Sequence, residues 1–286
     1  GRNRLRLNKS VHGFLGDFRY LAKTIASRPT RIAELIPDPI PATLGACDAA
    51  GMGMGGINFI PGADGSVVPV LWRHKFPAWV QRDLVSYDNP AGSISNSDLE
   101  LAGSIAHNDI LAQHADVSKR TIHNSYDNMA TVFWQRKGST TTTGPAAYLL
   151  RIQAFHQRFY RYVPLRDFIP GSSNTMADIL SRRWDLSDTQ LLDLFNSQFP
   201  QERPWQKCPL RKPMYSALTS ALSKRRCSPA SLQNIPEKRM VIGSSGMISA
   251  CLKPSTPSSP VSKIQSHTSK SSPSDIGTAE LLQVKK

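Results

Sequence analysis

Leu44-Gly-Ala-Cys-Asp48-Ala-Ala-Gly51-Met-Gly53-Met-Gly55-Gly56-Ile-Asn-Phe59 decides how the chain is read. Ala42 to Cys47 is small and apolar with no polar alternation, which predicts a short strand buried on both faces. Ile57, Phe59 and Ile60 resume a strand directly after the glycines. Asp48 therefore ends a core strand and faces outward at the mouth of a glycine-rich hairpin; taken alone, it is most simply a solvated turn aspartate. Gly51, Gly53 and Gly56 also fit G-x-G-x-x-G. That fingerprint works only where the third glycine opens a helix whose N-terminal amides hold a pyrophosphate. Here Gly56 opens Ile-Asn-Phe-Ile and then the turn Pro61-Gly-Ala-Asp-Gly65, so a strand meander is expected and dinucleotide binding is not.

Upstream of the hairpin, Pro37, Pro39 and Pro41 break the chain, and a domain is expected to begin near Ala42. Residues 1–41 are basic, and Phe14, Leu15, Phe18, Tyr20, Leu21 and Ile25 recur at mostly helical spacing, predicting a helix from Val11 to Ser27. Downstream, Val67 to Phe76 completes three consecutive antiparallel strands, and 77–94 reads as an irregular insert with some helix. Ser97 and Glu100 stand in the S-x-x-E capping relation ahead of Ala102, Ile105, Ala106 and Ile110 at helical spacing. On that reading Glu100 is a cap, and His107 and His114 on the same helix are solvated. Arg120 to Tyr126 alternates as a strand, and Asp127 after it also fits an N-cap of the next helix. Tyr148 to Tyr162 is a long helix, aromatic and basic at once, whose arginines face outward. Leu165 to Ile169 is a strand, and Asn174 to Arg182 a helix capped by Asn174, with Asp178 one turn in. Helical patterns at Thr189 to Phe199 and Met214 to Lys224 make 186–228 a helical appendage. In 229–286 Ser, Pro, Thr and Lys dominate, which predicts a disordered linker, with one short ordered piece at Met240 to Ala250.

The 286 residues hold one sizeable domain with extensions, and 40% hydrophobic content suffices for a core. A net charge of +14 points to a polyanionic partner, of which nucleic acid is the commonest. No apolar run approaches a transmembrane length and no signal-peptide core is present, so an intracellular protein without a membrane partner is expected. The first residue, Gly1, suggests a piece of a longer polypeptide. Cys47, Cys208, Cys227 and Cys251 are scattered, which predicts free thiols rather than a zinc site. No G-x-S-x-G supports a serine hydrolase, and Ala50 stands where a proofreading exonuclease needs a second acid.

The predicted order is three antiparallel strands, helix, strand, two helices, strand, helix. In a sheet of this topology Asp48, Glu100, Asp127 and Asp178 fall at the same edge. Four uncompensated carboxylates repel unless cations bind, and a set without imidazole or thiolate suits Mg²⁺. Asp48-Ala-Ala-Gly, Asn96-Ser-Asp-Leu-Glu100-Leu-Ala, Asp127-Asn-Met-Ala, and Ile169-Pro-Gly with Asn174-Thr-Met-Ala-Asp178-Ile-Leu-Ser-Arg182 resemble the ribonuclease H domain of retrotransposon reverse transcriptases. The resemblance covers roughly Ala42 to Trp184, and the domain it implies spans 42–185. It implies an α/β, ribonuclease H-like fold: a mixed five-stranded sheet with helices on both faces, followed by the disordered C-terminal tail. It further implies two-metal hydrolysis of the RNA strand of an RNA–DNA hybrid, with Mg²⁺, or Mn²⁺ as substitute. Asp48 would bridge both ions, Asp178 would help hold the ion that activates water, and Glu100 and Asp127 would hold the other. Asn96 would contact the hybrid's minor groove. The basic helix itself, through Arg151, Arg158 and Arg161, is expected to neutralise the phosphates of a bound hybrid. Residues 1–41 look like the end of a polymerase thumb or connection region, and the tail resembles linkers to an integrase or recombinase. These would be partners within one polyprotein, in a cytoplasmic particle or the nucleus. One departure is that 171–174 lacks the histidine that cellular members carry there for product release. A catalytically degenerate domain kept as a nucleic-acid platform is the rival expectation.

Overall fold

The computed structural model describes residues 8–30, 32, 36, 41–62, 64–232, 241–242 and 248–249. Most of the expected linker, and Cys251, lie outside them. Within the expected ordered piece, Val241–Ile242 and Ile248–Ser249 form a separate two-stranded ladder.

The fold is α/β. Strands β1 (Thr43–Ala50), β2 (Gly53–Pro61) and β3 (Val67–Lys75) form the antiparallel meander that the glycine-rich stretch predicted. β4 (Thr121–Tyr126) pairs parallel with β1, and β5 (Val163–Phe168) pairs parallel with β4. A two-residue strand, β6 (Gln206–Lys207), adds to the outside of β3, so the sheet has six strands in the order β5-β4-β1-β2-β3-β6, not five. Two residues carry no period, and only the approach of the chain to Val70 and Leu71 makes them a strand.

Alternate side chains enter two cores. Cys47, Ala49, Val70 and Trp72 face one, beneath α3 (Asn96–His114), α5 (Ala146–Tyr160) and α8 (Lys212–Leu222). Ala46, Ile57 and Leu71 face the other, beneath α6 (Thr175–Arg182) and α7 (Asp188–Gln198), closed by Phe195 and Trp205. The span 186–228 thus contributes two helices, a strand and part of both cores. α6 comes close because β2 has glycine beneath it: a Cβ at Gly55 would stand 2.5 Å from that of Leu180. α1 (Lys9–Ser27), α2 (Ala78–Arg82, inside the 77–94 insert) and α4 (Met129–Lys137) complete the described α-helices.

α3 is buried from Asp98 to Gln113, polar positions included. Each polar group needs an internal partner. Trp72 Nε1 donates to His107 Nδ1 at 3.1 Å, and His107 Nε2 lies 3.1 Å from Asn124 Oδ1. Asn124 Nδ2 donates to Asn108 Oδ1 at 2.7 Å, while Asp109 receives Arg211, His156 and Gln113. His107 is therefore not solvated. Burial holds its pKa down at about 4, so it stays neutral. His114 is half-buried.

Candidate metal centre

β1 and β4 run parallel, so their C-terminal ends open on the same side of the sheet, and β1 delivers Asp48 there. The side chain is buried at 2% exposure, unlike a solvated turn residue. Asp127 follows directly on β4. It is not a cap, because Asn128 takes that role by accepting from the Thr131 amide at 3.0 Å. Glu100 is not a cap either: α3 starts earlier than expected, and the capping box is Ser95 with Asp98. Glu100 is left in the second turn, buried, accepting from the Ala49 amide and sharing a hydrogen bond with Asp48.

One carboxylate oxygen from each of Asp48, Glu100 and Asp127 lies within 4.8 Å of the other two. Burial, followed by repulsion from Asp48 and Asp127, pushes the Glu100 pKa well above the usual range. Asp127, half-buried, is raised by the same two causes, burial and then Asp48. Glu100 Oε2 is shut off from solvent without a hydrogen-bond partner among the described residues. An all-carboxylate donor set with an orphaned buried oxygen suits a hard divalent cation, so the cluster could hold a metal ion.

Asp178 lies beside this group without joining it. Its charge reaches Asp127, but its carboxylate is held by Arg182 one turn on. Two residues position the acids: Ser181, which falls inside the expected helix, and Asn174, expected as its cap. The Ser181 hydroxyl donates to Asp48 Oδ2. Asn174 makes no side-chain cap; its amide nitrogen donates to the Cys47 carbonyl at 3.2 Å, and its side chain also hydrogen-bonds Asp127. Both are buried, and a polar residue facing β1 from a helix that also carries Asp178 was the signal available in the sequence.

Asn96 is exposed at the first position of α3. The α5 arginines stand elsewhere and bind this chain. Arg151 grips Asp17 of α1 with two hydrogen bonds of 2.6 Å and also reaches the Cys227 carbonyl. Arg158 binds Thr30 and the Arg28 carbonyl, and Arg161 the Pro29 carbonyl at 3.4 Å. These side chains hold α1 and the residues after it against the domain.

Set against known proteins, the chain matches no family model and no curated protein. Among the described residues, no helix is long and apolar enough to cross a membrane.

The raised carboxylates set a pH dependence. A group whose folded pKa exceeds its unfolded value contributes stability in acid and loses it as pH rises through the folded value. At neutral pH the bare cluster therefore destabilises the fold. Glu100→Gln is expected to raise the melting temperature at pH 7 in chelator, with no gain below the ordinary carboxylate range. A neutral-pH melting temperature that stays the same or falls would show that the acids do not repel. Mn²⁺ at a hundred times its dissociation constant should stabilise the wild type by about 2.7 kcal/mol. That gain should shrink on acidification, starting above the ordinary carboxylate range, as Glu100 and Asp127 take up protons.

Proposed function

We propose that this chain is a ribonuclease H-like domain of a retroelement reverse transcriptase, hydrolysing the RNA strand of RNA–DNA hybrids with Mg²⁺ or Mn²⁺. The observation that carries the reading is the meeting of Asp48, Glu100 and Asp127, brought from separate parts of the chain to within 4.8 Å of one another. Bound there, divalent ions would neutralise the phosphate and supply a water nucleophile at neutral pH. Asp48, held by Ser181, would hold them together with Glu100 and Asp127. Asn174 fixes Asp127 against the end of β1 and so keeps the donor set in place before substrate arrives. The charge of +14 supports a polyanionic substrate. No phosphate contact is assigned to Arg151, Arg158 or Arg161, which are engaged within the chain.

A second reading, a degenerate platform that binds hybrids without cutting them, is favoured by one observation: Asp178 is tied to Arg182. A hybrid with both strands labelled separates the two. The first reading expects metal-dependent cuts in the RNA strand alone, with single-stranded RNA left intact. Tight hybrid binding with no cut in Mg²⁺ or Mn²⁺ would establish the second.

A further inference from the structure

A cleft of about 440 Å³ opens beside the carboxylates. Gly51 and Met52 of the β1–β2 turn line it, with Gln81 of α2, Leu84 after it, and Ser181 and Arg182 of α6. The cleft shares a residue with the cluster, because Ser181 also holds Asp48. Its walls are of two kinds. Met52, 46% exposed, and Leu84 are apolar, whereas Arg182 is the only charged group among the lining residues. Arg182 lies within electrostatic reach of Asp48 and Glu100. Its present partner, Asp178, is an exposed neighbour at i,i+4 spacing, and pairs of that kind are weak. A phosphate offers a guanidinium the same two-oxygen geometry as a carboxylate.

We propose that this cleft is a nucleotide subsite of the polynucleotide substrate, an inference that rests on the function proposed above. Arg182 exchanges Asp178 for a backbone phosphate, and the sugar and base of that nucleotide lie against Met52 and Leu84. The volume falls within the range of small-ligand pockets and suits one nucleotide unit. The nearby acids repel a free anion, so the apolar walls and the rest of the strand must supply part of the affinity. The 77–94 insert thereby acquires a role, since Gln81 and Leu84 build one side of the seat. The exchange also frees the Asp178 carboxylate, linking occupation of the cleft to availability of the fourth acid.

The test measures hybrid binding in an Asp48→Asn background, where cleavage is removed, with Arg182→Gln or Met52→Trp added. The second change fills the cleft from an exposed turn position, and thermal melting checks the fold of each. Each is expected to weaken hybrid affinity at least tenfold. Arg182→Gln should also reduce the slope of log affinity against log salt by about one, and Arg182→Lys should restore the slope. Loss of local packing alone would not move that slope. Unchanged affinity with Met52→Trp, together with an unchanged slope with Arg182→Gln, overturns the subsite. Mn²⁺ binding to chains with native Asp48, without nucleic acid, reports on the metal centre separately. A wild type that binds no Mn²⁺ refutes the proposed function, and the affinities still decide the cleft.

Discussion

Asp48→Asn is expected to lower hybrid cleavage by several orders of magnitude while the fold and hybrid binding persist. The substitution keeps size and shape, and the Ser181 hydroxyl can still donate to the remaining oxygen. What is lost is the negative charge that Glu100 and Asp127 both adjoin, and with it one of the three carboxylates that would hold the ions under the proposed function. Removing a repulsive carboxylate from beside the scissile phosphate should leave hybrid affinity equal or slightly higher. The melting temperature should rise in chelator and lose its response to Mn²⁺. Cleavage by Asp48→Asn equal to the wild type would refute the metal centre and the roles of Glu100 and Asp127 with it. A variant that loses binding as well would point to damage of the fold, and the melting curve would register it.

Arg211→Met should have the largest effect on stability. Asp109 is completely buried, and Arg211, at the N-cap of α8, is the cation that reaches it, with Nε at 3.1 Å. Burial alone would raise the Asp109 pKa, but hydrogen bonds from His156 and Arg211 outweigh it and hold the carboxyl below its ordinary value. Removing the guanidinium strands a charge in the core, which costs about 3–5 kcal/mol. For a domain of this size that corresponds to roughly ten degrees of melting temperature or more. A group with a depressed folded pKa contributes stability above its unfolded pKa and loses it as pH falls through the folded value. The gap between wild type and variant should therefore be full at pH 7 and narrow in strong acid. Asp109→Asn added to Arg211→Met should recover part of the loss, because the stranded charge is gone. A single variant that melts like the wild type would show that α8 is not anchored by this pair.

The strands and helices that position the acids were legible because each carries a strong local signal. β1 is small and mostly apolar up to Asp48, the glycines mark the hairpin, and α3 and α6 have helical period. What was not legible depends on groups distant in sequence. Ser97/Glu100 and Ser95/Asp98 both fit a capping pattern, and only the path of the chain into α3 selects the second. Outward arginines on α5 look the same in sequence whether they meet phosphate or Asp17, which lies 134 residues away. The helix sequence by itself gives no sign that His107 is buried, because its partners, Trp72 and Asn124, lie on strands. Its signal lay on a neighbouring strand, where a Cβ at Gly45 would meet the imidazole at 2.5 Å. The Asp178–Arg182 pair, by contrast, is legible as an i,i+4 spacing, and that pairing competes with a metal for the Asp178 carboxylate.

The hydrogen bond from Ser181 to Asp48 joins residues 133 positions apart. On a ribosome adding about 5–20 residues per second, roughly 7–27 s separate synthesis of the first from arrival of the second. During that interval β1 carries its carboxylate without the helix that braces it. A nascent or truncated chain ending before α6 would therefore have the strand and two of its acidic neighbours, yet lack the brace that fixes the site. The brace arrives only with α6, before α7 and α8 have been made, so the carboxylates spend that interval without the hydroxyl that later holds Asp48.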